Sequence, residues 1–114
     1  MDKDTRKKLI SSYKERPVTG GVFAIVNDAT GRMLLLAERD IAGSKNKFQF
    51  AQSTNLCAYG KLGEDWRKYG PGAFRFQLLE ELEKKPEQTS EEFMEDLQVL
   101  AELWREKLAD HDFY

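Results

Sequence analysis

Apolar positions along the chain fall into short runs separated by turn-forming residues. Leu9, Ile10 and Tyr13 recur at three- and four-residue spacing within the Lys-rich stretch 2–15, which predicts a helix ended by Pro17. After Gly20-Gly21, the run from Val22 to Val26 is β-branched and aromatic, as a buried strand is. Residues 27–31, rich in Asn, Asp and Gly, read as a turn, and the apolar run Arg32 to Ala37 reads as the second strand of an antiparallel hairpin. From Glu38 to Gly60 the pattern weakens; Phe48 and Phe50 alternate as a short strand or extended segment does. Lys61 to Tyr69 suits a short helix with Leu62, Trp66 and Tyr69 on one side, stopped by Gly70-Pro71-Gly72. Phe74 to Glu80 alternates apolar and polar residues as a half-buried third strand. Thr89 and Glu92 have the spacing of a capping box, and Phe93, Leu97, Leu100, Trp104 and Leu108 form the stripe of a long helix to about Ala109.

The order helix, strand, strand, helix, strand, helix predicts an α/β protein of the α+β kind, with a small three-stranded, largely antiparallel sheet flanked by helices. At 114 residues the chain has the length of one domain able to bury its own core. It divides into an N-terminal helix at 1–18, a main domain at 19–110 and a tail at 111–114. A composition of 40% hydrophobic and 33% charged residues is that of a folded domain, not of a disordered chain.

Charge changes the picture more than its total of −2 suggests. Residues 1–75 carry fourteen Lys or Arg against eight Asp or Glu, whereas residues 76–114 carry four against twelve. The basic portion is suited to phosphates, and the acidic portion opposes them wherever the two lie close. No run is long and apolar enough to span a bilayer and the N-terminus leads into no signal core, so a cytoplasmic protein without membrane attachment is expected. Cys57 is the only cysteine and reads as an incidental or buried thiol, and no Cys/His set has zinc-site spacing. His111 lies beyond the last predicted helix, as part of a frayed tail. The glycines between Gly60 and Gly72 match no phosphate-binding loop and read as helix boundaries; Trp66 and Trp104 lie on apolar stripes as core anchors.

Gly21-Val22-Phe23, Thr30-Gly31, Leu34-Leu35-Leu36 and the stretch Trp66 to Gly70 with Phe74 to Glu80, taken in order between Gly21 and Leu108, resemble the signature of the GIY-YIG nuclease superfamily. Gly21-Val22-Phe23 stands where the first tripeptide is expected, Thr30-Gly31 at the turn, and Leu34-Leu35-Leu36 at the second tripeptide. Trp66 to Gly70 followed by Phe74 to Glu80 resembles the W-x-x-y-G segment and F-x-F-x-x-L-E strand of such proteins. The resemblance implies a metal-dependent endonuclease ancestry, with tyrosines and an arginine around the scissile phosphate and a glutamate holding one divalent cation. These roles answer the need for a base, for positive charge and for a carboxylate on a hard cation.

Against that pattern the chain is degenerate. Phe23 keeps a ring but lacks the hydroxyl, Leu34 can neither donate nor accept a proton, and Leu36 adds bulk in place of glycine. The arginine position falls on Ser44, with Lys45 and Lys47 close enough to supply charge without a bidentate grip. Glu102 is the nearest candidate metal ligand, although its helical phase, about 180° from Phe93, turns it away from the apolar stripe. The expectation is a catalytically impaired domain retained for binding, either of nucleic acid, weakly and with salt sensitivity, or of a protein partner. No cofactor is expected of it. The rival is an active Mg²⁺- or Mn²⁺-dependent endonuclease whose acid and base groups have migrated to Tyr59 or Tyr69, with Lys45 or Lys47 handling charge. A third reading, prompted by the aromatic content, is a structural module that forms homo-oligomers.

Overall fold

A computed structural model describes residues 19–114, so the helix expected at 2–15 lies outside the described residues. Three strands, β1 (Thr19–Asn27), β2 (Met33–Glu38) and β3 (Phe74–Glu83), form one sheet in the order β2-β1-β3 with both pairings antiparallel. Three helices accompany them: α1 (Ile41–Thr54), α2 (Gly63–Tyr69) and α3 (Ser90–Lys107). Single 3₁₀ turns at Gly60–Leu62 and Pro71–Ala73 flank α2. The predicted α+β class and all three strands are present.

Side chains of β1 alternate between two cores, as the period of two in a strand requires. Phe23 and Ile25 join Leu34, Ile41, Phe48, Leu62, Trp66 and Phe74 on the α1 and α2 side. Val22, Ala24 and Val26 join Met33 and Leu35 on the other side, where Leu100, Ala101 and Trp104 of α3 pack against them. The sheet is therefore sandwiched between helices, and β1, central and apolar on both faces, is buried along nearly its whole length.

Two glycines open the central strand because there is no space for a side chain. A Cβ on Gly20 would stand 2.7 Å from the Glu38 carbonyl and 2.9 Å from the Phe93 ring, and one on Gly21 would collide with the Glu80 carbonyl. Immediately after them the β1–β3 register slips between Val22 and Phe23, so that Leu79 is the extra residue of a bulge.

The alternation at Phe48 and Phe50 misleads: both lie in α1, with Phe48 buried and Phe50 64% exposed. Only Ile41, Phe48 and Ala51 of its fourteen residues are buried, a stripe too sparse to register as helical from the sequence. Its ends are nevertheless well specified. Asp40 caps the N-terminus by accepting a 3.0 Å bond from the Gly43 N–H, and Asn55 closes the other end with φ 54°. The Asn55 side chain then accepts from Trp66 Nε1 at 3.1 Å, tying α1 to α2. On α3 both halves of the Thr89/Glu92 capping box are formed.

The tail expected at 111–114 is not frayed. Phe113 forms a parallel bridge with Met33 of β2, the Met33 N–H donating to the Asp112 carbonyl and the Tyr114 N–H to the Met33 carbonyl. His111 and Asp112 match the expectation of exposed positions, whereas Phe113 and Tyr114 are half-buried.

Candidate functional site

The hairpin positions that would carry tyrosines in the GIY-YIG pattern face the α1 side of the sheet, and both are filled by core. Phe23 is 0% exposed and its ring stacks on Phe76 at 4.5 Å, an arrangement supplied by the neighbouring strand register. Leu34 is 7% exposed and packs in the same cluster, with Leu36 half-buried against it. Ser44, in the first turn of α1, spends its hydroxyl on the Asp40 carbonyl at 3.0 Å. Lys45 is exposed. Lys47 is exposed too, but its Nζ lies 5.1 Å from the centre of the Tyr59 ring.

The fold brings Tyr59 to the hairpin's α1 side, where Tyr114 also packs. Tyr59 is 9% exposed, and its buried hydroxyl meets no hydrogen-bonding partner among the described residues. Burial first, then the nearby Glu38 carboxylate and Cys57 thiol, push the phenol above its ordinary value. Such a group is held as a neutral donor at physiological pH. Tyr69, by contrast, ends α2 with 38% of its surface exposed, under Lys68.

Glu102 is exposed on α3, the helix that packs on the opposite side of the sheet from Phe23, Leu34 and Tyr59. The structure does not bring it together with the hairpin positions. Among the described residues no group of three or more His, Cys, Asp or Glu is placed to hold a metal ion.

What the fold does assemble is a groove at the outer edge of β2, about 340 Å³ in volume. Leu34 and Leu36 line its floor, Tyr59 and Lys61 one wall, and Arg105 and Phe113 the other. Tyr59 belongs to the α1 side of the sheet and Phe113 to the α3 side, so the groove lies across the sheet edge. At its end Tyr114 is held by a polar network. Its hydroxyl donates to Asp65 at 2.7 Å and accepts from buried Asn27 at 3.1 Å, and the Arg32 guanidinium lies 4.2 Å above its ring. No local pattern announces these partners, since 49 and 87 residues separate Tyr114 from Asp65 and Asn27.

The sheet also separates charge. Residues 41–73, the α1 and α2 layer, carry five Lys or Arg against two Asp or Glu, whereas α3 carries six acidic residues against two basic ones. No helix among the described residues is long and apolar enough to cross a membrane. Comparison of the chain with family models, curated proteins and solved structures gave no match.

Proposed function

We propose that this chain is a GIY-YIG-like domain that has lost phosphodiester hydrolysis and acts as a binding module. The observation that carries this reading is Phe23. At the place where a catalytic ring would turn a hydroxyl toward substrate, a wholly buried phenyl stacks on Phe76. With Leu34 buried beside it, the position offers neither a proton acceptor nor access to water.

Binding falls to the basic α1 and α2 layer, where Lys45, Lys47, Lys61, Arg67 and Lys68 are exposed and the acidic helix is on the far side of the sheet. That separation removes much of the repulsion implied by the net charge. An anionic partner can approach the basic face without meeting α3.

The rival enzyme draws its support from Lys47 over Tyr59. Burial opposes it, because it raises the phenol above its ordinary value and so makes the ionised form that a base needs rarer than in an ordinary tyrosine. Incubation of supercoiled plasmid and labelled oligonucleotides with Mg²⁺ or Mn²⁺ tests the choice. No cleavage above a mock preparation is expected. Cleavage that disappears in Lys47→Ala and in Tyr59→Phe would establish the rival. On the binding side, duplex and single strands are expected to associate weakly, with duplex affinity falling about tenfold to fortyfold between roughly 50 and 200 mM salt, as two or three phosphate contacts require.

A further inference from the structure

The geometry points to the outer edge of β2, past Met33, as the docking site for an extended, acidic segment of a partner protein, which adds to the sheet as a fourth strand. The inference rests on the reading of the domain as a binding module, but not on its likeness to nucleases.

Backbone direction is the first argument. The Asn27 N–H donates to the Arg32 carbonyl at 2.8 Å, and Leu34 and Leu36 stand opposite Ile25 and Phe23, so the even-numbered residues of this strand turn their backbone groups inward to β1. Met33 turns outward: its N–H donates to Asp112 and its carbonyl accepts from Tyr114. Leu35 and Ala37 therefore face outward as well. Among the described residues their outward N–H and C=O groups have no backbone partner. Asp112 to Tyr114 fill the start of the lane, and the lane continues past Tyr114 as the groove.

The second argument is what surrounds those groups. A strand paired to β2 runs roughly 4.8 Å from it, inside the groove whose two walls rise from opposite sides of the sheet. Side chains of an added strand would alternate between the Tyr59–Lys61 wall and the Arg105–Phe113 wall. Lys61 and Arg105 are the charged residues of this lining, which contains no carboxylate side chain. The apolar floor accepts aliphatic groups and the two cations select acidic neighbours. Tyr59, whose buried hydroxyl has no partner among the described residues, lines the same groove.

The opposite edge makes a useful contrast. β3 carries Glu80, Glu81 and Glu83 along its second half, a charged guard of the kind that discourages strand addition, whereas β2 offers Leu34, Leu35, Leu36 and Ala37.

The test uses the full chain, labelled with ¹⁵N, and a capped ten-residue peptide alternating Glu and Val. Saturable binding is expected, with slowed hydrogen exchange at the Leu35 and Ala37 amides and little change at Leu34 and Leu36, which are already bonded to β1. The counterpart alternating Lys and Val is expected to bind about tenfold more weakly, and Lys61→Glu with Arg105→Glu to weaken the acidic peptide by about as much. Ala37→Pro removes an outward N–H that no described residue uses, so the variant is expected to fold and to lose binding. Should it fail to fold, the surface charge reversals still decide the matter. Absence of binding, binding that leaves Leu35 and Ala37 unprotected, equal affinity for the basic peptide, or a response at these amides to duplex DNA alone would overturn the proposal. The cleavage assay is independent, so failure here leaves the loss of catalysis standing.

Discussion

The hydroxyl of Tyr114 donates a 2.7 Å hydrogen bond to the Asp65 carboxylate while accepting one from Asn27, which is wholly buried at the end of β1. One phenol thus ties the hairpin turn, α2 and the last residue of the chain. Tyr114→Phe leaves the wholly buried Asn27 amide without this acceptor. The expected loss is about 1 to 3 kcal/mol, the usual cost of an unsatisfied buried polar group, read from urea unfolding. A change below about 0.5 kcal/mol would show that the network adds nothing to stability.

Alkaline pH should unfold the protein through its tyrosines. Tyr59 is raised chiefly by burial and then by Glu38 and Cys57; Tyr114 is raised by burial and by its bond to Asp65. Both groups hold their protons more tightly when folded. Their contribution is therefore complete below the ordinary tyrosine value of 10.0 and is lost as pH climbs from there through the folded values. Absorbance at the phenolate band should show two tyrosines ionising late and together with unfolding. Tyr59→Phe should abolish one of them without cost to stability, because its buried hydroxyl has no partner to lose. Ionisation of all tyrosines near the ordinary value in the folded state would contradict this.

The two tryptophans should differ. Trp66 is 3% exposed, stacked on Phe74 at 5.0 Å and edge-on to Phe48 at 6.5 Å. Trp104 is only half-buried, with its Nε1 donating to Glu80 at 2.8 Å and Lys107 over its ring. Trp66→Ala is expected to cost about 3 to 5 kcal/mol, and Trp104→Ala less, roughly 2 kcal/mol. Equal losses in thermal or urea unfolding would show that partial exposure does not matter here.

Much of the fold was legible because the relevant signals are local. The strand at Val22 to Val26 is apolar on both faces, and the Thr89/Glu92 box and the stripe from Phe93 to Trp104 mark α3 within a single window. The failure at Phe48 and Phe50 has a definite cause: a helix that buries three residues in fourteen gives no periodic stripe, while two phenylalanines two apart imitate a strand. Sequence also placed Tyr59 among the candidates, but the Lys47 contact and the loss of a partner for its hydroxyl arise only from packing. The groove at β2 was out of reach, because its walls are residues 58–61 together with Arg105, Phe113 and Tyr114, which tertiary structure alone brings to one edge.

The positions resembling the GIY-YIG signature give the last prediction, which concerns restoring what is missing. Phe23→Tyr places a hydroxyl in a site that is 0% exposed and stacked on Phe76, where it must find a partner or remain unsatisfied. The expected cost is about 1 to 3 kcal/mol. Leu34→Tyr overfills a position that is 7% exposed and adds to the loss. Ser44→Arg supplies charge from the first turn of α1, yet Leu36 still fills the position taken by glycine in the family pattern, and Glu102 is on the other side of the sheet. A positioned acid or base contributes about 10² to 10⁴ in rate only when its partners are aligned with it. The triple variant should therefore be less stable than the natural chain and still fail to cleave plasmid with Mg²⁺ or Mn²⁺. Cleavage by the triple variant above a mock preparation would show that the hairpin face opens to substrate in solution, and the argument from the buried Phe23 would fall.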